Sequence, residues 1–149
     1  MNTTTEMKNR KAILSTLWIF AMFNYLYCDV LSLMDSDFLK QYMTGNVGGI
    51  HLTPGFLLGA AALMEIPTAM VLLSRILGYR ANRWANIIAG IIMTVVQFAT
   101  LLFGSAPTLY YLFFSIIEIV STLFIVWYAW RWPSLEGAAL KTRNLPATS

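Results

Sequence analysis

The chain has few charged residues and almost none of the side chains that build metal centres or nucleotide sites. Charged residues make up 11% of its 149 positions, whereas a soluble domain has about 25%. The chain has one cysteine, Cys28, and one histidine, His51. It therefore lacks the cysteine pairs that form disulfides and the clusters of cysteine and histidine that bind zinc. It also lacks a glycine-rich Lys-Ser/Thr loop for phosphates. We therefore expect no metal and no cofactor.

Apolar residues dominate instead, at 58% of the chain, and the mean hydropathy is +0.63. Apolar runs of about the 20 residues needed to cross a bilayer cover residues 13–34, 55–77, 84–103 and 108–130. The first run is too long for a signal peptide and has no small-residue cleavage site, so we interpret it as a retained span. The sequence predicts an all-α fold, an integral membrane four-helix bundle forming one domain over residues 1–149.

The first connection, residues 35–54, is the longest between spans. Ser36 or Asp37 is expected to cap a short interfacial helix over residues 38–43. Three glycines, Gly45, Gly48 and Gly49, are expected to break and loosen the chain after it. Such a loop resembles a flexible cap over an outward-facing cavity, and His51 lies in it. The other connections, 78–83 and 104–107, are short turns.

Basic residues predict the orientation. Nine of the ten Lys and Arg residues fall in the N-terminal segment, around the second connection or in the C-terminal segment, and only Lys40 falls in the first connection. The positive-inside rule therefore predicts a multi-pass protein of the cell membrane with both termini cytoplasmic. The net charge of +3 is small and its residues lie at helix ends, which favours membrane lipid over nucleic acid as a partner.

Each span contains a strongly polar residue near its middle. At 1.5 Å per residue, Asn24, Glu65, Gln97 and Glu118 are predicted to lie near the bilayer midplane, with Asp29 a turn or more closer to the outside. Small or polar residues share their helix faces, and such faces usually pack against other helices. We therefore expect Glu65 and Glu118 to face inward and to meet in one water-poor chamber.

Structural roles for these residues stay open. Asn24, Gln97 and Thr122 are of the kind that joins helices by hydrogen bonds. Glu65 and Glu118 could share one proton as a structural pair. Asp29 could be a solvated residue near the helix end, and His51 an ordinary loop histidine.

Three segments carry a family resemblance: residues 24–30 (NYLYCDV), 64–67 (MEIP) and 79–86 (YRANRWAN). They resemble an uncharacterised bacterial family of small four-span membrane proteins, over about residues 14 to 130, and this resemblance implies no activity. The architecture is more loosely similar to DoxX-like proteins and to the EXPERA domain of sterol isomerases and the sigma-2 receptor. In the EXPERA group, inward acids hold a cationic amine or assist proton movement. That similarity implies that Asp29 and Glu65 face a ligand, and it offers no counterpart for Glu118.

Three functions follow as hypotheses. The first is an intramembrane pocket for a small lipophilic or cationic ligand such as an amine, with an isomerase-like reaction left open. The second is a proton-coupled small transporter acting as an oligomer such as a homodimer. The third is an accessory or structural membrane subunit. The pocket would be lined by Asn24, Asp29, Glu65, Gln97 and Glu118, with Trp18, Tyr25 and Tyr111 as walls.

Overall fold

The computed structural model describes residues 3–103 and 107–132. These residues form five helices and one small hairpin, in the order α1 (Thr3–Met34), α2 (Ser36–Thr44), β1 (Asn46–Val47), β2 (Ile50–His51), α3 (Pro54–Ile76), α4 (Tyr79–Phe103) and α5 (Leu109–Trp130). The four long helices, α1, α3, α4 and α5, are each long and apolar enough to cross a membrane. The all-helical fold with four apolar helices is therefore confirmed. Gly104, most of the third connection and the predicted C-terminal tail beyond Trp132 lie outside the described residues.

The helices begin and end where backbone chemistry requires it. α3 starts at Pro54, whose missing N–H is not needed in a first turn, and the Thr53 hydroxyl accepts a hydrogen bond from the N–H of Phe56 at 3.1 Å. α1 begins ten residues before the predicted span, because no glycine or proline interrupts it from residue 3 to residue 34. The second connection is shorter than predicted, since α4 already starts at Tyr79.

The long helices pack in the ring order α3–α1–α5–α4, and α3 meets α4 mainly near their connecting turn. The shared core contains Leu14 and Trp18 of α1, Met93 of α4 and Ile125 of α5. Most remaining Leu, Ile, Val and Phe side chains of these helices are exposed on the outer surface of the ring. Such a surface suits contact with lipid acyl chains.

α2 and the β1–β2 hairpin close one end of the ring; we call residues 35–53 the cap and this end the cap end. Asp35 caps α2, since its side chain accepts hydrogen bonds from the N–H groups of Asp37 and Phe38. The expectation that Ser36 or Asp37 is the capping residue was therefore wrong. Gly45 ends α2 in the left-handed conformation, with φ of 69°.

The other two glycines of the first connection form the turn of the hairpin. Gly48 and Gly49 connect β1 to β2 and both have positive φ, at 57° and 84°. A two-residue hairpin turn of this type needs positive φ at both central positions, which glycine adopts without strain. The glycines thus build an ordered turn, whereas the sequence led us to expect a loosened chain.

At the opposite end, which we call the basic end, a hydrogen-bonded cluster joins three helices. The Trp18 indole N–H donates to Asn86 Oδ1 at 2.7 Å, and the Ser74 hydroxyl donates to the same oxygen at 3.3 Å. The Asn86 amide donates to the side chain and backbone of Asn82, whose own amide donates to the Ser74 carbonyl. All four side chains are buried. The polar groups that form these bonds satisfy one another, which is typical of structural polar clusters.

Candidate functional site

Two adjoining cavities of about 430 and 550 Å³ lie beneath the cap. They share a wall formed by one acid, two aromatic rings and two aliphatic side chains: Asp29, Tyr42, Phe56, Val47 and Ile50. The larger cavity extends between α1, α4 and α5, where its lining includes Ser32, Val96, Thr100 and Tyr111. The cap therefore covers a chamber that is open to the surroundings and mostly apolar.

Asp29 is the acidic residue in the lining of both cavities. It lies five residues before the last residue of α1, about 8 Å from the helix end at 1.5 Å per residue. Its side chain is exposed to the cavity space and has no hydrogen-bond or ionic partner within residues 3–103 and 107–132. The ion pair found in this part of the chain joins Lys40 to Asp37 at 3.5 Å on the cap surface.

The cap places an aromatic hydroxyl near this acid. Tyr42 of α2 lines both cavities with Asp29. Partial burial raises the pKa of the Tyr42 phenol, and the neighbouring Asp29 carboxylate raises it further. His51, which lies in the connection expected to cover the cavity, is exposed in β2 and is not part of either lining, although its neighbours Ile50 and Leu52 are.

Beneath the larger cavity, hydrogen bonds join α4 to α5. The Gln97 amide donates to the Ser115 hydroxyl at 2.8 Å, and the hydroxyls of Thr94 and Thr122 are 2.7 Å apart. Glu118 lies between these two bonds along α5 and is 2% exposed. The inward positions predicted for Gln97 and Glu118 agree with this arrangement.

Glu65 faces away from the interior of the bundle. It is exposed on α3. The small and polar residues expected to share its face are Ala61, Ala62, Thr68 and Ala69, of which the first three are exposed and Ala69 is half-buried. The buried residues of α3 are Pro67, Met70 and Ser74. Ser74 is nine residues from Glu65, which is two and a half turns at 3.6 residues per turn and therefore the opposite side of the helix. The expectation that Glu65 and Glu118 meet in one chamber was wrong, because α3 turns its other face toward the bundle.

Asn24 is also separate from the cavities. It is half-buried, and its side-chain amide donates to the carbonyl of Phe20 in its own helix at 2.8 Å. Of the five predicted site residues, Asp29 lines the cavity, Gln97 and Glu118 lie beneath it, and Asn24 and Glu65 lie elsewhere. Of the predicted walls, Tyr111 lines the larger cavity, whereas Trp18 belongs to the polar cluster at the basic end.

The sequence led us to expect that the first connection covers a cavity, but it did not identify the cap side chains that line it. Phe38, Tyr42, Val47 and Ile50 of the cap line the cavity, and so does Phe56 at the start of α3. The sequence signal that could have indicated these residues was the apolar content of the first connection, which is unusually long. Within the described ranges, no three His, Cys, Asp or Glu side chains come together in a way that could hold a metal ion.

The fold and the cavity define a small all-helical protein with four helices apolar enough to span a membrane and a covered chamber at one end. Residues 1–139 match DUF6326, a family of unknown function, and the chain belongs to that family. This agrees with the resemblance to an uncharacterised family; the looser similarity to DoxX-like and EXPERA proteins stays a prediction. No curated protein and no solved structure matches the chain.

Proposed function

We propose that the chain is a multi-pass protein of the bacterial inner membrane, with both termini cytoplasmic and the cap on the opposite side. Three arginines at the basic end lie over aromatic rings: Arg10 over Tyr128 at 5.1 Å, Arg83 over Trp130 at 5.7 Å and Arg131 over Trp127 at 5.4 Å. Basic and aromatic residues together are typical of a cytoplasmic headgroup region, which supports this orientation.

We propose further that the cavity beneath the cap binds a small lipophilic cation such as an amine. The observation that carries this proposal is Asp29, which has no hydrogen-bond or ionic partner among the described residues and lies in the wall of a mostly apolar chamber. A carboxylate in such surroundings favours a bound positive charge, because the pair offsets the loss of water around each group. The apolar lining suits the hydrocarbon part of the same ligand.

The volume of the larger cavity and the aromatic rings in its lining support the same ligand class. Its volume of about 550 Å³ lies within the range of about 300–1,000 Å³ typical of small-molecule pockets. The rings of Phe38, Tyr42, Phe56 and Tyr111 line it. Aromatic faces attract organic cations, so these rings add to the attraction of Asp29. The looser similarity to the EXPERA group likewise assigns Asp29 to a ligand-facing position.

The test is binding of tetraphenylphosphonium, a permanent lipophilic cation, to the purified protein in detergent by calorimetry. The Asp29→Asn variant should bind at least about tenfold more weakly, because one charge-assisted contact contributes about 1.5–3 kcal/mol. Asp37→Asn is the matched control, since Asp37 lies on the cap surface outside the cavity linings. Equal affinity of Asp29→Asn and the unmodified protein would reject the cavity proposal.

A second function, a proton-coupled transporter acting as a homodimer, is favoured by the position of Glu65. Its side chain is exposed eleven residues after Pro54, about 16 Å along α3 at 1.5 Å per residue. A carboxylate facing acyl chains at that depth is costly, and a second copy of the chain packed on this face would cover it. Proteoliposomes should then show tetraphenylphosphonium flux that depends on a pH gradient and is lost in Glu65→Leu. A monomer in lipid nanodiscs with no flux would exclude this function.

A further inference from the structure

Two buried polar atoms without partners lie at one level below the cavity. Glu118 is 2% exposed and Tyr25 is 6% exposed. Within the described residues, neither Glu118 Oε1 nor the Tyr25 hydroxyl makes a hydrogen bond. Each residue is nine positions from the cap end of its helix, α5 or α1, which places both about 14 Å below that end. Leaving a buried polar atom unpaired destabilises the folded state, so the two unpaired atoms call for a functional explanation.

A series of hydrogen bonds runs from the cavity wall toward Glu118. The Tyr111 hydroxyl donates to Thr100 Oγ1 at 2.9 Å, and both residues line the cavity. The Thr100 hydroxyl donates to the backbone carbonyl of Gln97 at 2.8 Å, and the Gln97 amide donates to Ser115 Oγ at 2.8 Å. Ser115 precedes Glu118 by three residues on the same face of α5. Polar groups therefore extend from the cavity to within one turn of the buried carboxyl.

We propose that Glu118 is a buried proton-binding site that exchanges its proton with the cavity and releases it when a cation binds at Asp29. The first half, proton binding, stands on the burial and the polar series alone. The second half rests on the proposed function of the cavity. The O–H bond of the carboxyl is the one that breaks, and the proton leaves through the cavity to the solvent.

The charges around Glu118 give the direction of this coupling. The titratable groups that act on Glu118 from α1 are Tyr25, Cys28 and Asp29. From α4, the neighbouring side chains Thr94 and Gln97 are uncharged. On α5 itself the neighbouring titratable group is Tyr111. On the cap, Tyr42 interacts with Asp29 and Tyr111.

No positive charge is among these groups, so both burial and the negative charge of a carboxylate such as Asp29 favour the neutral form of the Glu118 carboxyl. A cation paired with Asp29 would cancel that negative charge and favour ionisation of Glu118. Because binding then releases a proton, the affinity for the cation should rise with pH.

Infrared spectroscopy of the whole protein in detergent tests proton binding without any ligand. Titration from acid to alkaline pH should show the carbonyl band of a buried carboxylic acid that disappears as the acid ionises. Glu118→Gln should lack this band, and the matched control Glu65→Gln should keep it. Persistence of the same band in Glu118→Gln, or its absence from the unmodified protein at all pH values, would overturn the proposal.

A second variant covers the case in which Glu118→Gln fails to fold. Tyr25→Phe removes the neighbouring phenol and leaves the carboxyl in place. The carbonyl band should stay but shift in frequency and in titration midpoint, because its electrostatic surroundings change. An identical band and midpoint in Tyr25→Phe would assign the band to a carboxyl away from Tyr25 and would overturn the proposal for Glu118.

Calorimetry in two buffers of different protonation enthalpy tests the coupling. Tetraphenylphosphonium binding should release up to one proton from the unmodified protein, and this release should be lost in Glu118→Gln. Unchanged release in that variant overturns the coupling. Failure of the unmodified protein to bind the cation overturns the cavity function and the coupling together, whereas the infrared titration still decides whether Glu118 binds a proton.

Discussion

Gly90 of α4 lies directly against Val126 of α5. A Cβ atom at position 90 would be 2.6 Å from Val126 Cγ2 and 3.2 Å from the backbone oxygen of Thr122. Only glycine permits this approach, because real Cβ contacts are longer and a β-branched valine has little freedom to move. The close contact brings α4 and α5 together one turn from the Thr94–Thr122 hydrogen bond, and so supports the floor of the cavity.

Gly90→Ala should therefore destabilise the protein by about 1–3 kcal/mol, the usual range for an overpacked core. Gly59→Ala is the matched control, since no atom lies within 4 Å of the added carbon and alanine favours a helix. Unfolding of the purified proteins in a denaturing detergent measures the difference. Equal stability of the two variants would contradict the contact.

The hydroxyls of Thr94 and Thr122 should be energetically coupled. They are 2.7 Å apart in the interior, and side-chain hydrogen bonds between membrane helices contribute about 0.6 kcal/mol on average and up to about 1.7 kcal/mol. A double-mutant cycle with Thr94→Val and Thr122→Val should return a coupling in this range. Strictly additive effects of the two substitutions would show that the hydroxyls do not interact.

Asn86→Ala should weaken the basic end of the bundle. It leaves the Trp18 indole N–H buried without an acceptor, a loss of about 1–3 kcal/mol. Asn24→Ala makes the same chemical change at a half-buried position bonded only within its own helix, and it should have a smaller effect. Thermal unfolding of each variant, followed by tryptophan fluorescence, compares their stabilities. A larger loss of stability in Asn24→Ala than in Asn86→Ala would contradict the structural role of Asn86.

Gly45→Ala should loosen the cap. Gly45 ends α2 with φ of 69°, a conformation that costs a residue with a side chain about 1–2 kcal/mol. Gly78→Ala is the control, because it lies in a turn with open space around it and without positive φ. Hydrogen exchange should become faster across α2 in Gly45→Ala and should be unchanged there in Gly78→Ala. Unaltered protection of α2 in both variants would show that the cap does not depend on this residue.

The sequence was a good guide to the long helices. Runs of apolar residues bounded by Pro54, Gly78 and the polar residues after Met34 predicted the C-terminal end of α1 and both ends of α3 within one residue, because length and hydropathy determine which segments can span a bilayer. It was a poorer guide to how each helix is rotated. Small and polar residues mark a face that packs, but not which surface it packs against.

Glu118 and Glu65 illustrate this difference. Ser115 and Thr122, neighbours of Glu118 on its face of α5, find partners on α4, so the inward prediction agrees with the structure. Glu65 has alanines and a threonine as neighbours, yet these remain exposed and the bundle contacts Pro67, Met70 and Ser74. The cavities could not be predicted in detail, because their walls come from α1, the cap, α3, α4 and α5, and no local pattern encodes how these elements meet.

The length of α1 has a practical consequence. Its 32 residues extend about 48 Å at 1.5 Å per residue, whereas the hydrocarbon core of a bilayer is about 30 Å thick. In the proposed membrane orientation, with Asp29 and Met34 near the cap end, the excess of about 18 Å should extend past the acyl chains at the basic end as a stiff rod. A fluorescent protein fused at the start of this rod should therefore tumble slowly, and its polarisation should report how the whole bundle is oriented.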